Sequence, residues 1–227
     1  MDLRIKRTRK MLREALWEAI AEKGHEDLTV SEVCSRAMIN RATFYRHYED
    51  MNDLLLRGLD ELFDEIYALG DRPYTAEEIE HHPFDRPSKN LQLLFELFGE
   101  RADFFRFMFS DRGVPSFVTR IRTYFEDIII ERVKIATRPD SKPIVPVAIA
   151  ARGWAGQIIG CLIWWLEKGQ DLPAEDMAVY LTSIGFHTIF ECFDITQPKL
   201  AGDMDRALAA ANDRFYRIFD RETQPGL

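Results

Sequence analysis

Cysteine and histidine are scarce in this chain. Its 227 residues include three cysteines and five histidines, and no CxxC pair occurs. Cys34, Cys161 and Cys192 lie far apart in the sequence, which argues against a disulfide framework and is typical of a reducing compartment. Cys34 could act as a thiol redox sensor, although a lone core cysteine is the more common case. We expect a cytoplasmic protein without a cofactor or a metal ion.

Sequence motifs of the common enzyme classes are also absent. The chain has no GxSxG, no P-loop, no GxGxxG and no HExxH. Metal-ligand residue types cluster once, in the proline-containing segment 70–88, as Glu77, Glu78, Glu80, His81, His82 and Asp85. This cluster could bind a metal ion, but a solvated charged loop is the more common meaning of such a segment. We predict that the protein is not an enzyme and that this segment is a loop or a partly helical linker.

No uninterrupted apolar run is long enough to predict a membrane span. The most apolar segment, Ile144–Leu166, contains Pro146, Arg152, Gln157 and three glycines, so we interpret it as a buried helix. The basic start of the chain, MDLRIKRTRK, is followed by no apolar segment, so no secretory signal is expected. We expect no membrane partner.

Basic and acidic residues are unevenly distributed along the chain. The formal net charge is −8. Residues 1–48 contain ten Lys or Arg and seven Asp or Glu, a net charge of +3. The remaining residues contain twenty Lys or Arg and thirty-one Asp or Glu, a net charge of −11. The N-terminal fifth is therefore the part of the chain best suited to bind a polyanion.

The hydrophobic pattern is helical throughout, without strand-like alternation or an internal repeat, so we predict an all-α fold. The first helix should run from about Ile5 and stop at Gly24. Residues 29–32 (TVSE) fit a capping box that opens a second helix, and Asn40 and Asp50 can cap a third and a fourth. Further helices are predicted in five regions. The first begins at Leu91 and has a possible break at Gly99, and the second spans Pro115–Ala136. The third and the fourth end at Lys168 and Phe193, and the last spans Asp203–Asp220.

The second and third helices are separated by Met38 and Ile39 alone. Two short helices joined by so tight a turn, behind a longer basic helix, indicate a helix-turn-helix. An ordinary helical hairpin is the alternative. In a helix-turn-helix the third helix enters the DNA major groove, where Arg41 could bond guanine or clamp a phosphate and Thr43 could contact a base or a phosphate. We predict that Phe44 instead packs in the core, as does Tyr48.

The stretch LTVSEVCSRAMINRATFYRHYEDMNDLL resembles the N-terminal signature of the TetR family of repressors. The resemblance is close from about residue 5 to residue 55 and implies a helix-turn-helix domain at 1–49 and a helical effector-binding and dimerisation domain at 50–227. It also implies phosphate contacts from Thr29, Tyr45 and His47, and from a basic residue on the first helix, here Arg9.

Three positions depart from this family pattern. Met38 occupies a turn position that usually carries glycine, and a left-handed backbone there would cost roughly 1 kcal/mol. Asn40 replaces the common serine, which is a conservative change for a helix cap. Met51 replaces a lysine that often binds phosphate, so about one fewer salt-dependent contact per subunit is expected.

A single helix-turn-helix domain of this size buries too little surface on DNA to select one site in a genome. A homodimer on a palindromic operator is therefore expected. Small residues recur on one face of the long apolar helix, and the next helix has a similar stripe. The candidate dimer residues are Gly153, Gly156, Gly160, Leu181, Ile184 and Thr188. Packing within the subunit is the alternative for either stripe.

The second half of the chain is rich in aromatic residues. Aromatics at helical spacing are usually core, but a cavity among them would accept a flat or apolar molecule. The candidate ligand residues are Phe95, Phe98, Phe105, Phe109, Arg122, Tyr124, Trp154 and Gln157. The resulting hypothesis is a sequence-specific regulator of transcription, a repressor released from double-stranded DNA by a small-molecule effector. The alternative is an architectural DNA-binding protein without an effector.

Overall fold

The computed structural model describes residues 3–81, 86–193 and 202–219. These residues form eleven helices and no strand, which confirms the predicted all-α fold. The helices are α1 (Leu3–Lys23), α2 (Val30–Arg36), α3 (Arg41–Tyr45), α4 (Met51–Leu69), α5 (Ala76–His81), α6 (Lys89–Glu100), α7 (Ala102–Phe109), α8 (Pro115–Ala136), α9 (Val147–Glu167), α10 (Ala174–Cys192) and α11 (Gly202–Ile218).

The N-terminal helices begin and end where local side-chain chemistry predicts. Gly24 stops α1 with a φ of +83°. The Thr29 hydroxyl accepts the Glu32 amide and the Glu32 carboxylate accepts the Thr29 amide, so the capping box is complete. The Asn40 side chain accepts the Thr43 amide at 2.7 Å. Asp50 accepts the Asp53 amide at 2.8 Å and thereby caps α4.

Met38, in the turn between α2 and α3, has a left-handed backbone with a φ of +55°. Its side chain is 84% exposed, so no packing contact offsets the strain of this conformation. The turn therefore retains the geometry that usually requires glycine, at the cost expected for a side chain in that region.

The chain divides into two compact units that do not follow chain order. The first comprises Met1–Glu65 with Arg101–Ile121, and the second Ile66–Glu100 with Arg122–Leu227. The helix-turn-helix therefore shares its unit with most of α4, with α7 and with the start of α8. The boundary between residues 49 and 50 stays a prediction.

An aromatic core holds the first unit together. Trp17 of α1 stacks on Phe104 of α7 with ring centroids 4.7 Å apart, and Phe105 meets the same indole edge-on. Phe117 of α8 contacts both phenylalanines, and all four side chains are at most 2% exposed. Burial of this much aromatic surface fixes the basic helix α1 within its unit.

The second unit is built around α6, α9, α10 and α11. Trp165 of α9 packs edge-on against Phe95 of α6, and its indole N–H donates to the Leu172 carbonyl at 2.7 Å. By length and composition α9 is the one helix in the described part of the chain that could cross a membrane. Nine of its 21 residues are buried within the subunit, so the expected buried helix is buried along one side only.

The segment 70–88 contains the short helix α5, consistent with a partly helical linker. Glu78 binds the Arg72 guanidinium, and its carboxylate also accepts the Thr75 amide at 2.9 Å. His82 and Asp85 of the candidate metal cluster lie outside the described residues. Among the residues that the structure does describe, no group of three potential ligands could hold a metal ion.

Candidate nucleic-acid interface

Helix α3 has one buried side and one exposed side. Phe44 is fully buried and Tyr48, just beyond the helix, is 1% exposed, which confirms their predicted scaffold role. Arg41 is exposed at the first helical position and Tyr45 is 52% exposed. The buried pair therefore orients a helix whose exposed groups are cationic and aromatic, as DNA recognition requires.

The Thr43 hydroxyl already has one protein partner. Its oxygen accepts a hydrogen bond from Arg46 at 2.8 Å, and the Thr43 side chain is half-buried. The hydroxyl proton remains available to donate to a base or a phosphate oxygen. Arg46, which the sequence prediction did not assign, is thus held beside a candidate contact residue.

His47 lies among three arginines at the end of α3. Burial is the largest cause of its lowered pKa, and the positive charges of Arg9, Arg46 and Arg57 lower that pKa further. The carboxylate of Glu61 opposes the shift. The lowered pKa favours the neutral imidazole in the DNA-free protein, and this form can donate one hydrogen bond.

Arg9 is held in place by helix α4. Its guanidinium donates to the Glu61 carboxylate at 2.8 Å, and both side chains are about three-quarters buried, with exposures of 21% and 24%. A phosphate at this position would compete with Glu61 for the guanidinium.

Thr29 is exposed, but its hydroxyl already belongs to the capping box. The Thr29 hydroxyl lies 3.1 Å from the Glu32 carboxylate, and the Lys23 ammonium contacts the same carboxylate. Lys23 is the last residue of α1, so this group ties α1 to the start of α2. A phosphate contact by Thr29 would use its hydroxyl proton, which now faces Glu32.

The predicted ligand residues are divided between the two units. Phe105 and Phe109 stack on each other at 6.3 Å in the first unit. In the second unit Phe95 and Phe98 are fully buried, and Trp154 is 8% exposed.

Polar members of the predicted ligand set lie nearer the surface of the second unit. Arg122 approaches the Glu126 carboxylate at 3.5 Å, and Arg152 binds the other oxygen at 3.1 Å. Tyr124 is half-buried, whereas Gln157 is exposed. The Glu126 carboxylate therefore already neutralises part of the charge of both arginines.

The predicted dimer residues also differ in their surroundings. Gly153, Gly156 and Gly160 are exposed, and a Cβ atom added at any of them would meet no atom of the described residues outside its own stretch of helix within 4 Å. Ile184 is 41% exposed, and Thr188, half-buried, donates to the Ile184 carbonyl at 2.9 Å. Leu181, by contrast, is fully buried within the subunit.

Two parts of the chain match models of one protein family. Residues 12–57 match the model for bacterial regulatory proteins of the tetR family. Residues 85–185 match a second TetR model, that of a transcriptional regulator C-terminal region. The chain belongs to the TetR family. Both models are those of transcriptional regulators, so the matched regions are those of a DNA-binding transcriptional regulator.

Its similarity to individual proteins is modest. The chain is 26% identical over 184 residues to the uncharacterized HTH-type transcriptional regulator YxbF of Bacillus subtilis. That match includes 78% of this chain but 44% of the relative, so the chain spans less than half the length of YxbF.

Solved structures share the fold of this TetR family regulator. The dihydroxyacetone kinase operon activator DhaS has a TM-score of 0.57 at 17% identity, covering 80% of this chain and 96% of DhaS. A TetR transcriptional regulator from Streptococcus agalactiae 2603V has a TM-score of 0.52 at 23% identity, covering 80% of this chain and 94% of that one.

Proposed function

We propose that this TetR family regulator is a repressor that binds a palindromic operator as a homodimer and is released by a small apolar or aromatic ligand. The observation that carries the DNA-binding part is the exposed cationic side of α3, mounted on the buried pair Phe44 and Tyr48. The contact residues in this proposal are Arg9, Thr29, Arg41, Thr43, Tyr45 and His47.

The homodimer is proposed from the outer face of α9. Three exposed glycines allow a second helix to approach closely, since no side chain in the described part of the subunit covers them. With Ile184 and Thr188 they form the proposed interface, whereas Leu181 is fully buried within the subunit and is left out of it. Two subunits related by a two-fold axis would present their α3 helices to half-sites about 34 Å apart or at a multiple of that spacing.

The effector is proposed to bind in the second unit. Phe95, Phe98 and Trp154 are buried aromatic residues of this unit, and Arg122 and Tyr124 are half-buried polar ones. A ligand that binds better to the DNA-free arrangement must weaken operator affinity by the same factor. We expect the regulator to act in the cytoplasm, where both the operator and a metabolite are accessible.

Selection of bound sequences from a random duplex pool at two salt concentrations tests the DNA-binding part. The expected result is a palindrome whose affinity falls steeply with salt, because each neutralised phosphate releases counterions. Failure of a folded sample to enrich any sequence would contradict the proposal. The recovered operator then serves to screen flat and apolar compounds for release.

Activation of transcription, in place of repression, is the second candidate function. Its support is that DhaS, an operon activator, shares this fold. Transcription can be measured with the recovered operator placed either upstream of a promoter or overlapping it. The two measurements together distinguish activation from repression. An architectural protein without an effector would bind the operator but respond to no compound.

A further inference from the structure

Arg57, in the second turn of α4, contacts the end of the recognition helix α3. One guanidinium nitrogen, Nη1, donates to the His47 carbonyl at 2.8 Å and to the Asp53 carboxylate at 3.2 Å. The guanidinium carbon lies 5.1 Å from the centroid of the Tyr48 ring, in cation–π geometry. Two of these three contacts therefore join this one side chain to the segment that follows α3, and the third joins it to Asp53 within α4.

Phe44 and Tyr48 anchor the end of α3 through their buried side chains, and Arg57 adds a hydrogen bond to the backbone there. The helix is five residues long, and the carbonyls of its last turn have no partner within the helix. The amides of His47 and Tyr48 both donate to the Phe44 carbonyl, at 2.8 and 2.9 Å. Arg57 supplies the hydrogen bond that the His47 carbonyl would otherwise take from water.

Asp53 fixes the position of Arg57. The carboxylate oxygen that accepts Arg57 also accepts the Glu49 amide at 3.0 Å. The Asp53 amide in turn donates to the Asp50 side chain at 2.8 Å. The connection between α3 and α4 is thus held from α4 by a continuous chain of hydrogen bonds.

We propose that Arg57 is a positioning residue for sequence recognition, acting through His47 and Tyr48 to fix the orientation of α3 on α4. This inference rests on the proposed DNA contacts of Arg41 and Thr43. Those side chains read base edges only if their helix is held to within roughly 0.5 Å and 10–20°. A looser α3 would retain attraction to the phosphates but lose discrimination between sequences.

Arg57→Met tests this role, and Arg120→Met is its matched control. Methionine keeps an apolar stem against Tyr48 but removes the charge and the donors. Arg120 also pairs with an α4 carboxylate, that of Asp60, and lies in the same unit. Both variants therefore lose one positive charge and one ion pair to α4, but only the first loses contact with the end of α3.

Hydrogen exchange in the DNA-free protein is the first measurement. We expect the amides of residues 44–48 to exchange several-fold faster in Arg57→Met than in Arg120→Met. Equal exchange in the two variants would overturn the proposal. This result does not depend on the identity of the operator, so it still decides the role of Arg57 in ordering α3 if the wild-type protein enriches no sequence and the proposed function itself fails.

The ratio of affinities for the selected operator and a scrambled duplex is the second measurement, taken at several salt concentrations. Arg57→Met should lower this ratio by roughly tenfold, the scale of one lost base discrimination, without changing the salt slope. Arg120→Met should leave the ratio unchanged, and Arg57→Lys, which keeps the charge and a donor group but not the planar guanidinium, should restore part of it. An unchanged ratio would overturn the proposal. So would a uniform loss on both duplexes with a salt slope reduced by about one, because that pattern marks a direct phosphate contact.

Discussion

Arg214 of α11 binds Asp176 of α10 through two hydrogen bonds. Arg214 Nε donates to Asp176 Oδ2 at 2.6 Å, and Arg214 Nη2 contacts Asp176 Oδ1. The carboxylate is fully buried, whereas the arginine side chain is 45% exposed. The aspartate therefore depends on this partner far more than the arginine does.

This asymmetry predicts unequal costs for the two single substitutions. Arg214→Ala leaves a buried carboxylate without its partner and should destabilise the protein by about 3 kcal/mol or more. Asp176→Ala leaves an arginine that can turn into water, so it should cost less. Chemical denaturation of both variants and of the double variant provides the measurement. A larger loss for Asp176→Ala, or a double variant much less stable than Arg214→Ala, would contradict this account.

Two substitutions in α3, Arg41→Ala and Phe44→Ala, should distinguish a residue that contacts DNA from one that stabilises the fold. Arg41 is exposed, so its replacement should weaken operator binding by roughly 1 to 3 kcal/mol and leave the melting temperature nearly unchanged. Phe44 is fully buried, so its replacement should cost roughly 3 to 5 kcal/mol of folding stability. Thermal unfolding and operator titration of both variants would show whether the two effects divide in this way. An unfolded Arg41→Ala protein would mean that Arg41 is structural.

The left-handed backbone at Met38 predicts a stabilising substitution. Glycine would relieve a strain of about 1 kcal/mol or more, less the entropy that glycine loses on folding, for a net gain of roughly 0.5 kcal/mol. Met38→Ala is the control, since it shortens the same exposed side chain but keeps the strain. Urea denaturation should rank glycine above alanine. The reverse order would show that the turn is not strained at this position.

His47 predicts a pH dependence of operator binding. In the free protein its pKa is lowered, mainly by burial, so the unfolded state binds a proton first and folding stability falls as the pH drops below about 6.5. A phosphate beside the imidazole favours the protonated form and raises that pKa in the complex. Operator affinity should therefore increase as the pH falls from 8 to 6, by at most roughly tenfold for each unit of pKa difference between the free and the bound protein.

His47→Gln is the control for this pH dependence, because glutamine can donate a hydrogen bond to a phosphate but does not titrate. Its operator affinity should change little between pH 8 and pH 6. Titrations of both proteins at constant ionic strength measure the difference. A glutamine variant that follows the wild-type curve would assign the pH dependence to other groups.

How well the sequence predicted this molecule depends on how local the determining interactions are. Gly24, Asn40 and the capping box at residues 29–32 act within one turn of chain, and the helix limits they predict agree with the structure. The Arg9–Glu61 pair joins residues 52 positions apart, and no periodicity indicates it. An arginine four residues after Asp53 suggests a pair within α4, but the bond from Arg57 to the His47 carbonyl depends on how the turn folds.

The aromatic residues show the same limit. Their helical spacing predicted a buried side for each helix, and Phe95, Phe98 and Phe105 are indeed fully buried. Spacing cannot tell which helices a buried side meets. Phe105 packs on Trp17, almost ninety positions away in sequence, and belongs to the unit that contains the helix-turn-helix. A single ligand site for all the predicted aromatics could therefore not be inferred from their pattern.

The exposed glycines of α9 predict that a single side chain can block the proposed dimer. A Cβ atom added at Gly156 would meet no atom of the described residues outside its own stretch of helix within 4 Å, so Gly156→Leu should keep the fold, and leucine favours helix over glycine by roughly 0.8 kcal/mol. Across a close helix pair the same side chain would collide with the partner, and light scattering over a range of concentrations should show a weakened dimer. Thr119→Leu, at an exposed position of α8, controls for the added apolar surface and should leave the dimer intact. If Gly156→Leu dimerises as strongly as this control, α9 does not form the interface, and the spacing of the two α3 helices must be set by another surface.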